Sequence, residues 1–162
     1  VTKTRLILIV ALVVFAGHMI LIYPALPAIV ASHFDAQGNP NGWMSKEMFL
    51  IIEAALLIFV IGEFLLVPRF VRRMPRSLIN MPNKDYWLSD AHREETFSIF
   101  RSYFEVFGAM IVVLFAVVNQ FVYSANIART NLSSSVWIVI AAFLIITAVW
   151  VVKFIREFRL NK

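Results

Sequence analysis

Cysteine is absent from this 162-residue chain, which excludes disulfides, thiolate nucleophiles and cysteine-based zinc or iron–sulfur centres and leaves the redox compartment open. Charge is scarce as well. Asp, Glu, Lys and Arg make up 15% of the residues, against about a quarter in soluble domains. The five glycines form no phosphate-cradling pattern, and no Ser/His/Asp arrangement of a nucleophilic enzyme is evident. The expectation is therefore a protein that is not an enzyme.

What fills the chain instead is apolar sequence, 60% of all residues. Leu6–Val30, Met48–Val67, Val106–Tyr123 and Val136–Val152 are four such stretches, and a hydrocarbon core needs roughly 20 helical residues to cross it. They predict an all-α fold: an integral membrane four-helix bundle, running up and down, as a single domain over residues 1–162. The spans are expected at about 6–30, 48–67, 103–124 and 135–155, with an outer loop at 31–47 and a cytoplasmic loop at 68–102. The first stretch exceeds the 7–15 apolar residues of a signal-peptide core and precedes no clear cleavage site, so it reads as a retained anchor.

The net charge of +5 does not point to nucleic acid, because the basic residues flank the spans and do not line one soluble face. With both termini in the cytoplasm, Lys3 and Arg5, the seven basic residues between Arg69 and Arg101, and the four between Lys153 and Lys162 place 13 of the 15 cations on one side. Arg69, Arg72, Arg73 and Arg76 follow the second span directly, where anionic lipid headgroups would meet them. Membrane lipid is thus one expected partner.

Local signals punctuate the spans. Pro24 and Pro27 should kink or stop the first helix near its outer end, and Gln37-Gly38 and Asn39-Pro40-Asn41-Gly42 predict a compact outer loop with Trp43 at the interface. Ser45 is the expected N-cap of span two, which should end at Pro68; Asp90 is the expected cap of the next helix. Phe97, Phe100, Phe104 and Phe107 recur three and four residues apart, so one apolar stripe should carry span three back into the cytoplasm as an amphipathic extension. Asn131-Leu132-Ser133 matches the glycosylation sequon and is assigned no role.

Ionisable groups inside a bilayer are costly and tend to face a protein interior, which singles out His18, Glu53, Glu63 and Glu105. Glu63 and Glu105 fall at similar depth near Arg69 and Arg101, an arrangement that favours ion pairing over a proton path. Asn119 and Gln120, near the outer end of span three, are placed to satisfy the outer loop. His18, beside Ala16 and Gly17, is expected to pack or hydrogen-bond; ligation of a tetrapyrrole metal is the alternative. A bis-histidine haem is excluded within this chain, because His33 and His92 fall on opposite sides of the membrane. His33 and Asp35, with Glu53 below them, lack the spacing of a metal motif and are read as bonding loop backbone. No metal and no resident cofactor is predicted; a bound lipid, or a pigment shared with partner subunits, stays open.

One pattern is recognisable. Tyr23-Pro24-Ala25-Leu26-Pro27, His33-Phe34 and Gly38-Asn39-Pro40-Asn41-Gly42-Trp43 through Ser45-Lys46 resemble a bacterial membrane family of unknown function related to the amino-terminal part of the sporulation-delaying-protein immunity (SdpI-like) membrane proteins. A second block, Asn80-Met81-Pro82-Asn83-Lys84-Asp85-Tyr86-Trp87-Leu88 followed by His92-Arg93-Glu94-Glu95, is similar to one in small members of that family. The resemblance implies a bacterial inner (plasma) membrane and a fold of a few helices, and no established chemistry.

These readings lead to an accessory or interaction subunit of a larger membrane complex, respiratory or photosynthetic, partnered by other integral membrane subunits. The alternative is an SdpI-like immunity or sensor protein that meets a peptide toxin through His33, Asp35 and Trp43 of the outer loop. A transporter is disfavoured, since four short spans carry no paired broken helices.

Overall fold

The computed structural model describes residues 2–159; Lys162, counted above among the tail cations, lies outside the described residues. Helix α1 (Lys3–Ile22) opens the chain, capped by Thr2, whose hydroxyl accepts the Arg5 amide. It stops eight residues short of the expected span limit at 30. Pro24 sits in a single 3-10 turn, Tyr23–Ala25, and the apolar residues beyond it enter a strand. Strand β1 (Ile29–Phe34) pairs antiparallel with β2 (Pro40–Ser45), so the loop expected at 31–47 is a β-hairpin and the protein is mostly helical, not all-α.

Helix α2 (Lys46–Arg73) begins at the expected cap, where the Ser45 hydroxyl accepts the Met48 amide and Glu47 lies in the first turn. It does not end at Pro68. The helix runs through that residue to Arg73, and the Arg69 guanidinium donates to the Leu65 carbonyl at 2.6 Å, in the turn where proline removes an amide donor. A second 3-10 turn (Arg76–Leu78) and the one-turn helix α3 (Lys84–Trp87) lead to α4 (Arg93–Ala128), whose N-cap is His92 and not Asp90. At 36 residues α4 is about 54 Å long at 1.5 Å per residue, far more than one membrane crossing requires. Helix α5 (Ser135–Glu157) closes the order.

Helices α1, α2, α4 and α5 are each long and apolar enough to span a membrane, and their large apolar side chains face outward: Val13, Leu21, Ile58, Phe59 and Ile145 are all more than 60% exposed. The shared core is small. Leu8, Phe15 and Met19 of α1 meet Leu57 of α2 and Ala109 and Val112 of α4. A Cβ on Gly108 would press the near end of the Phe64 side chain, at 2.8 Å from its Cγ, so this glycine sets the close approach of α4 to α2.

Helix α5 stands apart. Val136 is its one buried residue among those described, and it leans on α4 through an aromatic ladder: Phe100 with Phe154, Tyr103 with Trp150 and Phe154, and Phe107 with Phe143 and Trp150. Its far end is latched. The Phe158 carbonyl accepts from Asn83 Nδ2 at 2.8 Å and from Trp87 Nε1 at 2.9 Å, and the Trp87 ring meets the Phe158 ring edge-on at 5.5 Å. The block from Asn80 to Leu88 is thus an ordered support beneath the bundle.

Candidate functional site

Polar chemistry collects at the two ends of the bundle. At the hairpin end, Asp35 and Gly38 build the turn. The Asp35 carboxylate accepts the Gln37 and Asn39 amides and the Asn39 side chain. The Asn39 side-chain bond, followed by the Asn39 amide, holds this exposed carboxyl below its ordinary pKa. Gly38 adopts φ +85° and a Cβ there would collide with the Leu132 carbonyl, so only glycine fits. Its own carbonyl accepts the Leu132 amide at 2.9 Å, and Asn131 Nδ2 donates to Asn39 Oδ1 at 2.8 Å. The α4–α5 loop is thereby stitched to the hairpin tip.

The deeper anchor is Asn126. Its Oδ1 accepts the Ala31 amide at 2.6 Å while its Nδ2 donates to the Ala31 carbonyl at 3.0 Å, so one side-chain amide satisfies both backbone groups of a buried strand residue. Beneath it, Tyr123 donates to the buried Glu53 carboxyl and packs with Phe49, Leu26 and Val30. The His18 ring lies 5.7 Å from that of Tyr123. His18 and Glu53 are therefore brought into one cluster through Tyr123, which sequence reasoning passed over, as it did Asn126. The two missed residues are three apart on α4 and so share a face of the helix; Asn126 lies two turns beyond Asn119 and Gln120, where the sequence reads as loop and the helix in fact continues.

Other candidates are not part of this cluster. Gln120 is exposed and bonds Ser124 of its own helix at 3.0 Å, so the role expected of it at the outer loop belongs to Asn126. His33 and Trp43 are exposed on the hairpin. Together with Ile29, Phe34, Arg129 and Asn131, Trp43 lines an open groove of about 510 Å³ between the hairpin and the end of α4. Among the described residues no three His, Asp or Glu side chains converge on a metal-binding point.

The opposite end is built from arginine. Glu105, with no exposed surface, accepts from Thr2 at 3.0 Å, Thr4 at 2.6 Å and Arg5 Nε at 3.0 Å. Its ion-pair partner is Arg5, at 2.9 Å. A buried carboxylate so fully bonded keeps its charge at tolerable cost. Glu63 was expected beside it at the same depth, but α2 turns that side chain outward, away from Glu105 and Arg101. Arg72 pairs with Glu94 at 2.8 Å and Arg76 with Asp85, while Arg73 is exposed. Between α1, α2 and α4 a cavity of about 360 Å³ is lined by Arg5, Arg69, Arg72, Arg101, Glu94 and Glu105, with Phe64, Leu65 and Phe97 on its apolar side.

A body of four apolar spans with a hairpin cap at one end and arginine at the other defines a multi-pass α-helical membrane protein. Residues 6–59 match a domain of unknown function, DUF1648, a stretch that takes in most of α1, the hairpin and the first half of α2. No curated protein and no solved structure matches the chain.

Proposed function

We propose that this protein works by association, as a non-enzymatic accessory or interaction subunit of a larger assembly in a bacterial inner membrane. The hairpin end faces outward and both termini lie in the cytoplasm. The placement of 13 of 15 cations toward the arginine end supports that orientation. The observation that carries the reading is the loose seating of α5. The aromatic ladder holds α5 along one side from Phe143 to Phe154, and beside it an apolar cleft of about 540 Å³ opens between α1, α4 and α5, lined by Ile7, Ala11, Ala109, Val113, Ala142 and Ile146 among others. We assign this cleft to an apolar transmembrane helix of a partner subunit. Ala11 on α1 and Ala142 on α5 are small enough to let an incoming backbone approach closely, and van der Waals packing of this kind is what drives association in lipid. A photocrosslinking residue at position 142, activated in native membranes before purification, tests it. Adducts with a second membrane protein that co-purifies are expected; adducts with lipid alone would refute the assignment.

The groove beside Trp43 favours a second reading, peptide recognition at the outer face, in keeping with a relation to the SdpI-like immunity proteins. Trp43→Ala should then raise the sensitivity of cells to the cognate peptide. Unchanged sensitivity in cells lacking the gene altogether would end that reading.

A further inference from the structure

The arginine-end cavity holds more positive charge than its carboxylates balance. Four guanidinium groups and two carboxylates line it. Arg5 is committed to Glu105 and Arg72 to Glu94, whereas Arg69 and Arg101 have no carboxylate within ion-pair distance among the described residues. Arg69 touches only a carbonyl of its own helix. Arg101 Nε is buried with no hydrogen-bond partner at all, a condition that costs free energy unless an acceptor is supplied. The two unpaired cations come from different helices, α2 and α4, and they line one space whose size falls within the range of small-ligand sites.

The remaining walls say what kind of acceptor fits. Phe64, Leu65 and Phe97 border the same space, and Arg69 stands where the apolar run of α2 gives way to basic sequence. The ligand therefore carries a compact anion beside apolar substance, at the depth of the membrane interface. Guanidinium groups suit phosphate oxygens in particular, because their planar forks offer paired donors. We infer that the cavity between α1, α2 and α4 binds the phosphate of one anionic phospholipid headgroup, held by Arg69 and Arg101, with Arg5 and Arg72 already neutralised at its rim. This narrows headgroup recognition from a surface cluster to a built site. Arg101 enters it, and Arg73 and Arg76 lie outside it. It does not depend on the association reading above.

The test uses the full chain, delipidated in a mild non-ionic detergent and titrated by native mass spectrometry with dioleoyl phosphatidylglycerol, with dioleoyl phosphatidylcholine, and with inorganic phosphate. One phosphatidylglycerol is expected to bind at least about tenfold more tightly than phosphatidylcholine, the scale of one charge-assisted contact. Arg101→Gln and Arg69→Gln should each weaken it by about tenfold or more, and Arg73→Gln by less than about twofold. Arg101→Lys, which keeps the charge and loses the fork, should fall between. If Arg101→Gln lowers helicity by circular dichroism, Arg69→Gln decides alone, since that side chain bonds only its own helix. Binding of inorganic phosphate that depends on Arg69 and Arg101, without binding of phosphatidylglycerol, would overturn the lipid assignment in favour of a soluble phosphate. Equal binding of both lipids, or equal loss in Arg73→Gln and Arg101→Gln, would overturn the site.

Discussion

The two ends of this bundle solve the same problem with different materials. At the hairpin end the chain must close over α1, α2 and α4 with a strand whose backbone is buried, and it does so with neutral donors and acceptors: Asn126 on Ala31, Leu132 on Gly38, Asn131 on Asn39. At the arginine end the helices are joined by charge, Arg5 with Glu105 and Arg72 with Glu94. Neutral amide bonds are short-ranged and match one partner each, so the hairpin end has few polar groups left over. Guanidinium groups act over a longer range and carry several donors, so the arginine end retains unspent capacity in Arg69 and Arg101. Both ends leave open space, and at the arginine end two of the cations that line it, Arg69 and Arg101, have no carboxylate within ion-pair distance among the described residues.

The contrast is broken most severely at Asn126. Asn126→Ala leaves the amide and carbonyl of Ala31 buried and unpaired, and thermal or denaturant unfolding in detergent should show a loss of about 2 to 4 kcal/mol. At the other end Glu105→Ala should cost about 1 to 3 kcal/mol, less than a fully buried broken pair, because the released Arg5 side chain is partly exposed and can reach water. Raising salt sharpens the distinction: it should weaken exposed pairs at the arginine end and leave the hairpin bonds unchanged. Gly108→Ala lies midway between the ends and should cost about 1 to 3 kcal/mol by forcing α4 from Phe64, read as a lowered melting temperature.

The smallest effects are at the surface. Arg76→Gln removes an exposed pair with Asp85 and should change stability by less than about 0.5 kcal/mol. Asp35 supplies the pH test. Its folded pKa is lowered, so the contribution of its charged form is complete above the ordinary aspartate value and is lost as pH falls through the lowered one. Amide exchange at Gln37 and Asn39 should therefore quicken relative to the intrinsic rate as pH falls below about 4.

Much of the helical body was legible in the sequence because bilayer thickness imposes a length that apolar runs must meet. The Ser45 cap and the ordered segment around Trp87 were legible for the same kind of reason, a local chemical demand. The hairpin was not. Its six-residue strands carry little alternation, and the apolar run through Val30 disguises the switch from α1 to β1 after Pro24. Pro68 lies inside α2 and not at its end because the residue is buried against its neighbours there, and sequence spacing does not record tertiary packing. The Arg5–Glu105 pair joins residues 100 apart. Their common depth at the starts of two spans was readable, but the choice of Arg5 over Arg101 was not. Tyr123 reads as the apolar end of span three, and Asn126 falls in the polar stretch from Ser124 to Ser133 that reads as loop, although α4 runs on to Ala128.

The latch on α5 bears on how the protein is made. Trp87 leaves the ribosome 71 residues before the Phe158 carbonyl that it holds, and the α4 side of the aromatic ladder likewise precedes its counterpart. During synthesis the residues that receive α5 are therefore made before α5 itself, so its docking can follow its emergence without waiting for any later part of the described chain.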